Sequence, residues 1–271
     1  MGCRDTILDE NRQYWTGRAS GYSEVNQLEL ATQQRQKWSE CLHAEIARQF
    51  PDRAPESMRV LEVGTGPGFF AILLQELGYD VTAIDLTPAM LEEAKKNAGE
   101  RAAEVICWME MNAEALDFAD ESFDVVVSRN LTWNLPHPDK AYAEWVRVLK
   151  PGGLLLNFDA NWYAYLFDDE AQAAYDRDRA NSAEQGVWDQ NVETEGENFD
   201  VMEDIARRVP LSKILRPAWD LKQLTAHGLQ AEADEEVWQC VWSEEENISF
   251  ASTPMFLVRG AKIERFIRLE T

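Results

Sequence analysis

The chain has 271 residues, 45% of them hydrophobic, enough to bury one large domain or a domain with an insertion. Forty-nine acidic residues against 26 basic ones give a formal charge of -23, a surface that repels phosphate backbones and excludes nucleic acid as a natural partner. No apolar run approaches a membrane helix, the acidic chain opposes membrane attachment through the loose myristoylation pattern at Met1–Thr6, and the scattered Cys3, Cys41, Cys107 and Cys240 suit no metal site and read as reduced thiols of a cytoplasmic protein.

Residues 1–57 read as a helical preface. Leu28, Leu30, Gln34, Trp38, Leu42, Ile46 and Phe50 form a rough helical stripe that Pro51 and Pro55 end. From 58 to 160 strand and helix alternate. Arg59–Val63 is the first strand, 69–77 a helix closed by Gly78, and Val81–Asp85 the second strand. Thr87-Pro88 offers an N-cap and a proline at the first position of a helix that runs to about Gly99. Val105–Met109 and Phe123–Ser128 are the third and fourth strands, the latter apolar enough for burial on both faces. An amphipathic helix over 139–149, a turn at Pro151-Gly152-Gly153 and a fifth strand over 154–158 complete the alternation, which predicts an α/β fold with a parallel sheet.

From 161 to 216 the alternation stops. Trp162, Tyr163, Tyr165, Phe167, Tyr175, Trp188 and Phe199 make this stretch aromatic, and 13 acidic residues face only Arg177 and Arg179 between 161 and 204. It reads as an inserted lid with helical pieces. Residues 217–271 return to the core. A helix near 220–226 ends at His227-Gly228, and strand-like runs at Glu236–Trp242 and Pro254–Val258 are expected to form an antiparallel hairpin.

The chemistry concentrates at Val60-Leu61-Glu62-Val63-Gly64-Thr65-Gly66-Pro67-Gly68. Strand, glycine-rich turn and helix bring a ligand against bare backbone. Asp85, ending the next strand, places a carboxylate where a ribose could be held. Phe69 stands where a nicotinamide-dinucleotide fingerprint needs its third glycine, so that cofactor is disfavoured.

The Gly-x-Gly-x-Gly spacing, with Glu62 before it and Asp85 after it, resembles motif I of the S-adenosylmethionine-dependent methyltransferases with a Rossmann-like fold. The likeness extends through Ala19–Tyr22, Met111–Phe118, Ser122–Arg129 and Val148–Leu154, which are similar to stretches of the branch that includes the ubiquinone and menaquinone biosynthesis enzymes. The resemblance implies a doubly wound, mostly parallel seven-stranded sheet with an antiparallel C-terminal strand, S-adenosylmethionine as cofactor and in-line methyl transfer to a small-molecule acceptor. A non-catalytic protein that binds the same cofactor is the alternative.

Carried onto this chain, the resemblance assigns Gly64, Thr65, Gly66 and Gly68 to the methionine part of the cofactor, with Glu62 beside it. Asp85 and Leu86 would meet the ribose, and Met90, Asn112 and Ala113 the adenine, Asn112 standing where the family usually has Asp. Arg129, Asn130 and Leu131 would touch the methionine end, and Tyr22 either closes over the cofactor or packs in the core. Methyl transfer needs no protein nucleophile, and a base only if the acceptor must lose a proton. His137 is the candidate base. Trp133, Trp162 and Tyr163, after the fourth and fifth strands, are candidate acceptor contacts. The acidic insertion favours a cationic or neutral acceptor over a polyanion.

Overall fold

The computed structural model describes residues 3–187 and 199–263. Met1, Gly2, Trp188 and the side chains of Cys3 and Phe199 lie outside the described residues. Two long helices lead the chain, α1 (Cys3–Ala31) and α2 (Gln33–Gln49), separated at the extended Thr32. The alternating core follows: β1 (Arg59–Val63), α3 (Phe69–Glu76), β2 (Asp80–Asp85), α4 (Pro88–Val105), β3 (Cys107–Glu110), β4 (Phe123–Arg129), α5 (Pro138–Val148) and β5 (Leu149–Asp159). Then come α6 (Asp169–Gln185), α7 (Phe199–Ala206), α8 (Ala218–Ala226), β6 (Leu229–Asp234), α9 (Trp238–Val241), α10 (Glu244–Ser249) and β7 (Phe256–Lys262).

The strands form one seven-stranded sheet in the order β3-β2-β1-β4-β5-β7-β6. β3, β2, β1, β4 and β5 run parallel, whereas β7 is antiparallel to both β5 and β6. Alternate residues feed two faces. Val125 and Val127 of β4 join Trp38, Leu42, Ile46 and Phe70 on one side, and Val126 joins Tyr142, Trp145 and Leu224 on the other. Each fully buried Val or Leu removes enough apolar area to contribute about 1.5–3 kcal/mol. The sheet is thus covered by α2 and α3 on one face and by α5 and α8 on the other.

The end of the chain corrects the sequence reading. Glu236–Trp242 is not a strand. Val237, Val241 and Trp242 are buried at helical spacing against the α2 side of the core, and Trp238 meets Trp242 with centroids 5.5 Å apart. The sixth strand is instead Leu229-Gln230-Ala231-Glu232-Ala233-Asp234, a polar edge strand with only one residue fully buried. Its partner β7 is reached through α9 and α10, not a short hairpin turn.

Smaller differences have local causes. Leu28 is exposed, because the stripe expected to continue through Leu28 and Leu30 is broken at Thr32. α4 continues past Gly99, which carries a non-helical φ of 70°, and moves the start of β3 to Cys107. The glycine turn before the fifth strand lies inside β5 as a bulge, where the register shifts between Phe123 and Val125.

Candidate active site

The sheet order reverses between β1 and β4. Successive strands run outward from β1 to β3, and the chain then crosses back to β4. Ligands of open α/β sheets settle outside the carboxyl ends of the strands at such a point. The glycine turn begins there. Ile84 O accepts from both Gly64 N–H and Thr65 N–H at 2.9 Å, which ties the turn to β2.

The three glycines do different work. Gly64 has φ +73°, and a Cβ there would lie 2.7 Å from the Leu131 side chain. Gly66 has φ +52°, and a Cβ there would meet nothing nearer than Tyr22 at 3.8 Å, so the turn opens onto free space under that ring. Gly68 has φ +92°, and its added Cβ would lie 2.9 Å from Ala94 Cβ on α4. Gly68 therefore serves the close approach of α3 to α4, and it lines neither cavity described below.

Two carboxylates flank the turn. Asp85 Oδ2 accepts Gly66 N–H at 2.9 Å, and Oδ1 accepts Thr87 N–H at 2.8 Å. Burial raises the Asp85 pKa, and these backbone donors pull it back. Glu62 accepts the Thr65 hydroxyl at 2.6 Å. Burial pushes its carboxyl up to about 8, against the opposing pull of the Thr65 hydroxyl and the Arg129 charge.

A cavity of about 110 Å³ collects Tyr22, Glu62, Gly64, Thr65, Gly66, Asp85, Leu86, Met90, Asn112, Ala113, Arg129, Asn130 and Leu131. Ala113 is fixed by Trp145, whose indole donates to its carbonyl at 3.0 Å. The Asn112 amide oxygen accepts Glu114 N–H at 2.9 Å, which leaves it one lone pair for a ligand. The Oδ1 atoms of Asn11, Asn130 and Asn134 are buried at this cavity without a hydrogen bond from the described residues. Buried acceptors of this kind call for donors. Hydroxyl pairs, amino groups and an ammonium, such as S-adenosylmethionine carries, fit that donor demand beside Asp85 and the open Gly66 backbone.

A second cavity of about 160 Å³ adjoins the first, and the two share Trp15, Tyr22, Arg129 and Asn130. Trp133, Trp162 and Tyr163 line it, with the Trp133 and Tyr163 rings 4.8 Å apart. Asp159, at the end of β5, holds this wall. It accepts from Trp133 N–H at 3.1 Å and from the Trp162 indole at 3.2 Å. The fully buried Arg216 donates to Asp159 at 2.6 Å and to Asp220 at 2.8 Å.

His137 lines neither cavity. It occupies the N-cap position of α5, where its backbone N–H donates to Glu114 Oε1 at 2.6 Å.

Much of the site was not singled out by sequence reasoning. Asn11, Trp15, Arg18, Val25 and Glu29, with the already singled-out Tyr22 among them, recur every three or four residues along α1 and face the cavities. The helical period was a readable signal. It was hidden because the stripe mixes polar and aromatic residues, as suits a face turned toward a ligand. Tyr165, Tyr175, Arg179 and Met202 enter from α6, α7 and the turn before α6, and Trp242, Glu246, Ser249 and Phe250 from the α9–α10 region.

Sheet order and glycine turn define a Rossmann-like α/β fold, the fold also of a solved S-adenosylmethionine-dependent methyltransferase from Aquifex aeolicus. Residues 61–157 match the methyltransferase domain family. The chain is similar to the ubiquinone/menaquinone biosynthesis C-methyltransferase UbiE of Zymomonas mobilis, 43% identical over 97 residues that cover 36% of this chain and 40% of the relative. With the enzyme of the same name from a Ruegeria species it shares 38% identity over 121 residues, 44% of this chain and 47% of the relative. The chain spans less than half the length of these curated relatives. A structure from Haloferax volcanii, of a methyltransferase activator in complex with a methyltransferase, aligns with a TM-score of 0.55 at 17% identity, over 96% of this chain and 99% of that one, a likeness of fold alone.

Proposed function

We propose that the protein transfers a methyl group from S-adenosylmethionine, held in the first cavity, to a small molecule held in the second. The observation that carries this reading is the wall shared by the two cavities at Trp15, Tyr22, Arg129 and Asn130. Cavities that share these residues adjoin, so a donor in one would lie beside an acceptor in the other. Bound S-adenosylmethionine supplies a methyl group on a positively charged sulfur, open to in-line displacement.

The residues supply position and exclusion of water. Asp85 would accept the ribose hydroxyls with Leu86 beside them, Gly64 and Gly66 would bare the backbone beside the methionine part, and Met90, Asn112 and Ala113 would meet the adenine. Trp133, Trp162 and Tyr163 would pack on the acceptor. Alignment of two reactants in a dry site can account for a large part of such a rate. The formal charge of -23 supports a small acceptor over a nucleic acid. The free thiols of Cys41, Cys107 and Cys240 support a reducing compartment such as the cytoplasm.

Calorimetry with S-adenosylmethionine, S-adenosylhomocysteine and NAD tests the reading. The first two should bind and NAD should not. Binding of NAD alone would overturn it. Transfer of labelled methyl to an acceptor panel then separates catalysis from binding alone.

A further inference from the structure

The second cavity contains a carboxylate that the reading above leaves without a task. We propose that Glu246 on α10 is the proton acceptor of this cavity, and that it serves a weakly acidic hydroxyl carried on an apolar, ring-bearing molecule. The proposal rests on the methyl-transfer reading and names the chemistry of its acceptor.

The Glu246 carboxyl is held by one half only. Ser243 and Glu246 form a capping box: Glu246 N–H donates to the Ser243 hydroxyl at 3.1 Å, and Ser243 N–H donates to Glu246 Oε2 at 2.7 Å. The Gln34 amide, from α2, donates to the same Oε2. Oε1 makes no hydrogen bond among the described residues, and the side chain lines the cavity. One oxygen is clamped and the other is left for a ligand.

The surroundings suit proton transfer. Glu29 from α1 and Arg129 from β4 act on Glu246 with opposite sign, and Arg18 and Tyr22 of α1, Tyr175 and Arg179 of α6 and the Ser243 cap line or border the same space. Burial is the largest influence and brings the carboxyl up to about 7, where it can both take and release a proton near neutrality.

The same cavity selects the kind of proton donor. Arg18, Arg129 and Arg179 line it together with the carboxylates of Glu29 and Glu246, Arg129 being paired with Glu29. A guanidinium in the lining favours a ligand atom that gains negative charge as its proton leaves. The ring wall of Trp133, Trp162 and Tyr163 suits a flat apolar body. The acceptor oxygen forms its bond to the methyl carbon, the carbon–sulfur bond breaks with its electron pair staying on sulfur, and the hydroxyl proton passes to Glu246 and then to solvent.

The test uses the full chain loaded with S-adenosylhomocysteine, whose binding is measured first. Calorimetry then compares para-chlorophenol with para-chloroanisole, the same ring without the hydroxyl. The wild type at about pH 8 should bind the phenol about tenfold tighter, as expected of a hydrogen bond to an ionised carboxylate. Glu246→Gln should hold the helix, because glutamine also serves in a capping box, and should reduce the preference to about twofold. Ser243→Ala removes the cap and keeps the carboxyl, so it should lower Tm and leave the preference intact. Acidification to about pH 5.5 should abolish the preference in the wild type. Equal binding of the two rings, binding of neither, or a wild-type preference in Glu246→Gln overturns the proposal. Failure to bind S-adenosylhomocysteine is read separately; it overturns the methyl-transfer reading and this proposal with it.

Discussion

Arg129, the last residue of β4, and Glu29 of α1 meet through two hydrogen bonds of 2.7 and 2.9 Å. Both side chains are largely buried, and the guanidinium lies over the Phe69 ring at 4.7 Å and the Trp38 ring at 5.3 Å. Burial alone would lower the Arg129 pKa, and the charge and hydrogen bonds of Glu29 outweigh it and raise the value. One ion pair thus fastens the first helix to the sheet edge from which both cavities open. Glu29→Gln leaves the guanidinium without its counter-charge, and loss of one partner of a buried pair costs about 3–5 kcal/mol. Denaturant unfolding should show a loss of that order, with weaker S-adenosylmethionine binding because α1 supplies Asn11, Trp15 and Tyr22 to the first cavity. Unchanged stability would show that α1 does not depend on this contact.

Asp85 carries both a structural and a binding expectation. Asp85→Ala should weaken S-adenosylmethionine binding by roughly 1.5–3 kcal/mol, the range for hydrogen bonds to a charged group. Asp85→Asn keeps an acceptor for one of the two backbone donors, Gly66 and Thr87, and should lose less. Equal affinity in folded Asp85→Ala would move the ribose site elsewhere.

Glycine substitutions should divide stability from affinity. Gly68→Ala forces a Cβ against α4 at a positive φ and should cost about 1–3 kcal/mol of stability. Gly66→Ala meets open space in the protein, so beyond its backbone strain it should chiefly weaken cofactor binding. A Gly68 variant of native Tm would remove the helix-approach explanation.

Glu62 gives a pH expectation. Its folded pKa is raised to about 8 by burial, so the native state holds a proton that the unfolded chain releases near 4.5. Its contribution to stability is complete below about 4.5 and is lost as pH rises through about 8. The free protein should weaken across that window, and Glu62→Gln should flatten the curve. An identical pH profile in the variant would assign the titration to another group.

The segment from 161 to 216 is expected to act as a lid. Hydrogen exchange in α6 and α7 should be faster in the free protein than with cofactor and acceptor present, because closing segments come from the less stable parts of a fold. Slow exchange that binding does not alter would mark α6 and α7 as a rigid addition.

The amino-acid sequence by itself determined the strand, turn and helix alternation of 58–160 and the position of the glycine turn. Those signals are local: apolar period, backbone freedom and helix caps act within a few residues. The same locality set Gly64, Gly66 and Asp85 at adjoining strand ends. Tertiary structure decided what stands opposite them. The inner face of α1 has no apolar stripe to announce it, because it packs on cavities. Leu229–Asp234 becomes a strand only because β7 offers it a hydrogen-bonding edge, and Glu236–Trp242 becomes partly helical because Val237, Val241 and Trp242 find the α2 face. Glu246 sits 217 residues from Glu29 in the chain, yet both face Arg129. Contacts across that separation depend on how whole elements pack, which no short window of residues encodes.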